Sequence, residues 1–429
     1  MTLAQLPAAR PLRGAVNVPG DKSIAHRALI LGALAEGTLR LSNFPEGKDV
    51  LSTCLCLRLL GADLRRDGGK MEIRGTGLHG FRAPNSQLPC GNSGTTMRLL
   101  MGLLAGQPFE TVLTGDASLS ARPMRRVADP LSRMGARIKL TDAQRPPVRV
   151  RGRRPLSAFS YRLPVPSSQV KSALLLAGLW ADGETCVIDP FGTRDHTERI
   201  LEYLSPGCLQ RKGSRIRLKA ARLRSDKALA LPGDASSAAA LAAAAAIIPG
   251  SDITLRGVLL NGTRLGFFRA LRRMGARIEL LPLAVQGAEP VGDIRVRYAP
   301  LRAVRVEARM IASLIDEVPL LAVLAASAAG QTRIHGLREL RLKESDRLSG
   351  TVAGLRALGA DAAIEEDSLI VRGPTKLIGG RVNCLGDHRL AMAFSVAALA
   401  ASRATELCDP ACVSMSFPGF YDLLSRLSQ

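Results

Sequence analysis

Five short stretches of this chain set a cationic, amide or carboxylate side chain among small polar residues just where an apolar, helix-like run begins. They are Lys22 with Arg27 after Gly20-Asp21, Asn92 with Arg98 in Gly91-Asn-Ser-Gly-Thr-Thr-Met-Arg98, and Gln169 with Lys171 after Ser167-Ser168. The other two are Asp316 in Leu314-Ile-Asp-Glu-Val-Pro319 and His388 with Arg389 after Gly386-Asp387. A helix start leaves four N–H groups unpaired and carries the positive end of the helix dipole. Ser, Thr, Asp and Asn cap such ends. Capping needs no lysine, arginine or glutamine, so these openings fit the binding of anions, and several of them aimed at one place would suit ligands with several negative charges. A carboxylate embedded in an apolar stretch, as Asp316 is, suits proton transfer. The opening at Asp234-Ala-Ser-Ser237 carries no such extra residue and reads as a plain cap.

A second charged feature lies between the fifth and sixth openings. In Arg338-Glu-Leu-Arg-Leu-Lys-Glu-Ser-Asp-Arg-Leu348, seven of eleven residues are charged, with signs interleaved. Standing alone, such a run reads as a solvated helix face laced by ion pairs one turn apart.

The elements that must hold these residues recur along the chain. Six polar openings, each leading into an aliphatic run, follow one another at intervals of roughly 65 to 80 residues. Between them runs a second marker, an amphipathic helix ending in Gly-Ala and then a strand, with the glycine at positions 61, 135, 275 and 359. Glycine just past a helix stops it, because it takes the left-handed conformation cheaply. The copy expected near residue 206 has degenerated to Tyr203-Leu-Ser-Pro-Gly-Cys-Leu-Gln210. Runs apolar all round, such as Ala238 to Ile248, belong in an interior. The pattern predicts closed, pseudo-symmetric α/β domains with sheets around buried helices rather than a linear solenoid.

Composition bounds the rest. The 429 residues suffice for two or more domains, and 46% hydrophobic content makes the chain globular. A net charge of +22 favours anionic partners, whereas 3% aromatic residues leave no stacking platform for nucleic acid. The longest apolar run is too short to cross a bilayer, and the first residues lack the apolar core of a signal peptide. Scattered cysteines and histidines fit no metal spacing, so the expectation is a cytoplasmic protein with reduced thiols, no metal and no cofactor.

The motifs taken together resemble one family. Val18-Pro-Gly-Asp-Lys-Ser-Ile-Ala-His-Arg27, the Gly91–Leu100 stretch, Leu314–Pro319, Arg341-Leu-Lys-Glu-Ser-Asp-Arg-Leu348 and Gly386-Asp-His-Arg-Leu-Ala-Met-Ala-Phe394 are similar, in order and spacing, to the 5-enolpyruvylshikimate-3-phosphate synthase family. The resemblance runs from about Leu12 to Leu424. It implies two pseudo-threefold domains, each of three βαβαββ units with sheets around buried helices, an inside-out α/β barrel. One domain would comprise residues 1–20 plus 234–429, the other residues 21–233, with the active site in the cleft between them. It also implies enolpyruvyl transfer from phosphoenolpyruvate to shikimate 3-phosphate by a monomer, with no nucleic acid or membrane partner. By matching motifs, Lys22, Ser23, Arg27, Ser167, Ser168, Gln169, Arg194, Asp316 and Lys343 would hold shikimate 3-phosphate. Lys22, Asn92, Gly94, Arg122, Gln169, Arg347 and Arg389 would hold phosphoenolpyruvate. Lys22, Asp316 and Glu344 would carry the proton transfers, and His388 would line the site. Gly94 matches the glycine that leaves room for glyphosate.

The match departs at Met415, where some family members carry lysine. A diverged relative acting on another hydroxylated ring acid would be compatible with that departure. The related UDP-N-acetylglucosamine enolpyruvyl transferases typically carry a loop cysteine before the Arg-Pro pair. Here the stretch before Arg122-Pro123 is Thr114-Gly-Asp-Ala-Ser-Leu-Ser-Ala121, without one.

Overall fold

The computed structural model describes residues 3–5 and 10–428. Contacts divide the chain into two units. The first holds the described residues up to Pro19, Pro232–Ala284 and those from Pro290 onward; the second holds Gly20–Leu231 and Val285–Glu289.

The second unit contains three four-stranded sheets of one design. In the simplest, Leu88–Pro89 lies parallel to Glu110–Thr114, which pairs antiparallel with Val148–Arg151, itself antiparallel to Arg137–Lys139. Parallel neighbours need a crossover, and the buried helix Gly94–Ala105 supplies it. A second helix, Arg125–Arg133, leads into the antiparallel hairpin, which completes a βαβαββ unit. The sheet Ser160–Arg162, Thr185–Ile188, Arg215–Leu218, Leu209–Lys212 repeats the pattern around helix Ser168–Gly178. The sheet beside helix Lys22–Leu34 takes its parallel edge strand, Lys227–Ala230, from the far end of the segment.

The first unit builds two sheets of the same kind and a three-stranded one, Leu3–Gln5, Thr405–Cys408, Gly380–Asn383. Here too an early strand closes a late unit: Arg13–Asn17 lies parallel to Asp252–Leu259. The helices beside these sheets, Ala235–Ile247, Val318–Ala326 and His388–Leu399, are buried along their whole length. Past any polar first residues their sequences are apolar nearly all round, and only an interior accepts such a surface. The six sheets stay separate; among the described residues they do not join into a closed β-barrel.

The glycine stops at 61, 135, 275 and 359 all have φ between +87° and +109°. The stretch near 206, expected to be degenerate, departs from this geometry: its helix cap, Ser205, takes φ −147° and ψ 81°, and the positive φ comes two residues on, at Gly207, instead of directly after the cap. Helix His196–Leu204 ends at Ser205, Gly207 takes φ +82°, and its N–H is received by the Glu202 carboxylate at 2.8 Å before the next hairpin begins. All eight cysteines are free, and among the described residues no helix is long and apolar enough to cross a membrane.

Candidate active site

The residues singled out above fall into two groups, one in each unit, and several members of each group are in direct contact.

In the second unit, three buried helices open beside one another. Asp21 accepts the N–H of Ile24 at 2.9 Å, Ser93 that of Thr96 at 3.1 Å, and Ser167 that of Val170 at 3.3 Å, so each start is capped by its own side chain. The openings are then cross-linked. Arg122 donates to the Asn92 carboxamide oxygen at 2.7 Å and to Ser118 at 3.2 Å, and Asn92 donates onward to Asp116 at 2.8 Å. Gln169 receives Arg98 at 2.7 Å and donates to Thr95 at 2.9 Å. Lys22 pairs with Asp49 at 3.1 Å. Arg194 reaches Ser23 at 3.5 Å. Gly94 stands where the arginines converge: a Cβ there would lie 2.8 Å from one Arg98 nitrogen and 3.1 Å from one of Arg122, so their heads would have to shift.

Two further polar side chains lie buried beneath this surface. Arg27 is 3% exposed and donates to Thr197, Ser172 and the carbonyl of Ser23 at 2.8–2.9 Å. His26 is fully buried against Thr53, at 2.7 Å, in a chain of hydroxyls running through Thr96 to Ser93. Burial first, then the nearby charges of Lys22 and Arg27, lower its pKa to about 3. The ring is neutral at physiological pH and holds the Lys22 helix rather than moving protons.

In the first unit, Arg347 is the hub. It opens helix Arg347–Ala357 and is 1% exposed. Its guanidinium meets Asp387 at 2.8 Å, Asp316 at 3.2 Å, and Glu344. Burial alone would lower its pKa, but Asp387, Glu344 and Asp316 outweigh that and raise it above the ordinary arginine value. Lys343 pairs with the same Asp316 oxygen at 3.0 Å. Asp387 caps the His388 helix by accepting the Arg389 N–H at 2.8 Å with one oxygen, and takes Arg347 and Ser345 with the other. His388 and Arg389 are buried at that helix start, 3% and 5% exposed. Met415 ends the 3-10 helix Pro410–Met415 and is partly exposed.

Asp49 and Asp387 carry no signal of a role in the sequence, and Arg98 stands out there only as the cation of its helix opening. Asp49 looks like an ordinary acid in the first turn of helix Lys48–Leu59, and Asp387 like an ordinary cap. The Asp234 opening reads correctly as structure: Arg264, 4% exposed, fills it by bonding Asp234 at 3.1 Å and Ser236 at 3.0 Å. Among the described residues, the one cluster with metal-like composition, Asp195, His196 and Glu289, is answered by Arg199, whose Nε lies 3.0 Å from Asp195 and 3.5 Å from Glu289. A guanidinium already supplies the positive charge there.

Comparison with known proteins bears on the fold and the family. A sequence model of the family described as EPSP synthase (3-phosphoshikimate 1-carboxyvinyltransferase) matches residues 7–424. The chain is 52% identical over 410 residues to the 3-phosphoshikimate 1-carboxyvinyltransferase of Acidithiobacillus ferrooxidans, covering 95% of this chain and 94% of that protein. It is 50% identical to that of Halorhodospira halophila, covering 97% and 94%. The solved EPSP synthase of Acinetobacter baumannii superposes with a TM-score of 0.87 at 41% identity over 99% of this chain and 98% of that one. The enolpyruvyl transferase NikO of Streptomyces tendae shares the fold, with a TM-score of 0.80 at 21% identity over 99% and 97%. Two units of repeated sheets around buried helices, arginine-lined helix starts, and a match along nearly the whole sequence lead to one assignment: the chain belongs to the EPSP synthase (3-phosphoshikimate 1-carboxyvinyltransferase) family.

Proposed function

We propose that the chain transfers the enolpyruvyl group of phosphoenolpyruvate to the 5-hydroxyl of shikimate 3-phosphate with two sets of groups, one from each unit. Lys22, Ser23, Arg27, Arg194 and the Ser167-Ser168-Gln169 helix start serve shikimate 3-phosphate. Lys22, Asn92, Gly94, Gln169 and Arg122 serve phosphoenolpyruvate, with Arg347 and Arg389 from the first unit. Arginine suits this task because its planar fork matches carboxylate and phosphate oxygens.

Asp316 takes the proton of the 5-hydroxyl as that oxygen bonds C2 of phosphoenolpyruvate, and Glu344 delivers a proton to C3, assisted by Lys22. The product is a tetrahedral ketal. It then loses phosphate from C2 while C3 returns a proton, which restores the double bond. Two carboxylates in different settings can divide such work. The observation that carries the reading is the Asp316–Lys343–Arg347–Glu344 constellation. Arg347 is paired with carboxylates on all three of its nitrogens, so the carboxylate of phosphoenolpyruvate takes the place of Glu344 on it. That exchange frees Glu344 for C3.

The test is the mass of the product formed from shikimate 3-phosphate and phosphoenolpyruvate, with phosphate release followed in parallel and unphosphorylated shikimate as the control. Release that ignores the 3-phosphate refutes the acceptor. The phosphorylated substrates fit a cytoplasmic enzyme, and light scattering at assay concentration tests the expected monomer.

A further inference from the structure

We infer that Lys171 is a positioning residue for shikimate 3-phosphate binding: buried beneath the Ser167 helix start, it fixes the loop that displays Arg194. The inference rests on the reading of Arg194 as a shikimate 3-phosphate contact. Lysine is almost never fully buried unless paired. Lys171 has no exposed surface, and its Nζ lies 3.0 Å from Asp189, 2.7 Å from Glu198 and 3.1 Å from the carbonyl oxygen of Thr193.

These partners belong to two adjoining elements. Asp189 closes the strand Thr185–Ile188 and organises the loop behind it. Its carboxylate accepts the N–H of Phe191 at 3.0 Å, the N–H of Thr193 at 2.9 Å and the hydroxyl of Thr193 at 2.8 Å, besides Lys171. Glu198 lies in the first turn of the His196–Leu204 helix. The ammonium therefore grips the loop at both ends and at Thr193, the residue before Arg194. Alongside, Ser172 and Thr197, the chain neighbours of Lys171 and Glu198, bond each other at 2.7 Å and both receive Arg27. Three helix starts are thus stapled together below the surface where Arg194 meets Ser23.

Burial alone would raise the Asp189 pKa, but Lys171 and the Thr193 and Phe191 donors outweigh it and hold the carboxyl below its ordinary value. The loop is therefore held by full charges in a low-dielectric setting. Removing one partner there leaves the others uncompensated, which is far more disruptive than removing a surface pair.

A double-mutant cycle tests this, with KM for each substrate and kcat measured for wild type, Lys171→Met, Arg194→Ala and the double variant. The expected result is about a tenfold rise in KM for shikimate 3-phosphate in Lys171→Met, the size of a lost charge-assisted hydrogen bond. KM for phosphoenolpyruvate stays within about twofold, and the double variant is no worse than Arg194→Ala alone. A purely structural lysine would lower the active fraction and kcat without moving that one KM. A wild-type KM in Lys171→Met, or an effect that multiplies fully with Arg194→Ala, overturns the inference. An unchanged KM in Arg194→Ala itself refutes the role of Arg194, and that single variant distinguishes the two failures. If Lys171→Met does not fold, Asp189→Asn enters the cycle in its place. It keeps an acceptor for the loop and removes one of the ammonium's two charge partners, and the same outcomes decide.

Discussion

Acidification should loosen the second unit through His26. The perturbation is a drop from pH 7 to pH 5. An unfolded histidine takes up its proton near pH 6.5, whereas His26 in the fold does so only at about 3, because burial and then the charges of Lys22 and Arg27 oppose it, with Asp21 pulling the other way. Between those values the unfolded chain binds the proton and the folded chain does not, so stability falls as the pH falls below 6.5 and stops falling near 3. At pH 5 the loss is about 2 kcal/mol, from 1.36 kcal/mol for each pH unit below 6.5. The assay is urea unfolding at both pH values, read by the fluorescence of Trp180. This is the only tryptophan, and it is buried in the second unit. The control is His26→Asn, whose carboxamide can still meet Thr53 but does not titrate. Wild type should lose about 2 kcal/mol more than the variant between pH 7 and pH 5. Equal losses, or an imidazole NMR titration placing His26 near 6.5, would refute the reasoning.

The site makes further predictions. Asp316→Asn and Glu344→Gln should lower kcat by about 10²–10⁴ with small effects on either KM, the range typical of a lost general acid or base; unchanged turnover in both would remove them from the proton transfers. Arg122→Ala and Arg389→Ala should raise KM for phosphoenolpyruvate about tenfold or more, and steady-state kinetics with that substrate varied would show it. Glyphosate should inhibit when phosphoenolpyruvate is low. Gly94→Ala should weaken that inhibition and raise KM for phosphoenolpyruvate, because the new methyl displaces the Arg98 and Arg122 heads; equal inhibition of both forms would show that the arginines yield without consequence.

Much of the architecture is legible in the sequence because its signals are local. A helix apolar all round, as at Ala235–Ile247, has nowhere to go but the interior, and a glycine past a helix end marks the turn into a hairpin. The sheets themselves are not local. Leu88–Pro89 is a two-residue strand with no alternation to read. The edge strand Lys227–Ala230 pairs with Thr38–Ser42 across nearly the whole second unit, leaving no trace in the intervening residues. The same limit governs the site. The run from Arg338 to Leu348 looks like a solvated helix face, yet it is a 3-10 turn followed by a helix start, and Arg347 within it is almost wholly buried. What distinguishes it is the set of carboxylates that distant segments bring to it: Asp316 from one helix opening and Asp387 from another. Asp387 is a cap on one oxygen and a ligand of Arg347 on the other, and only the first role can be read from its neighbours in the chain.

The helical period explains why two residues named together at one opening can do different things. Gln169 and Lys171 lie two positions apart on helix Ser168–Gly178, so at 3.6 residues per turn they point about 160° away from each other. They cannot share a face. Gln169 stays at the helix mouth with Arg98 and Thr95, while Lys171 turns inward to Asp189 and Glu198. Lys22 and Arg27, five positions apart, separate by about 140°, and again the later residue goes inside, to Ser172 and Thr197. In both openings the residue nearest the helix start stays beside the helix's first amides, and the later one joins the buried framework beneath them. The angle around the helix thus decides which side chain stays at the opening and which packs into the framework beneath it.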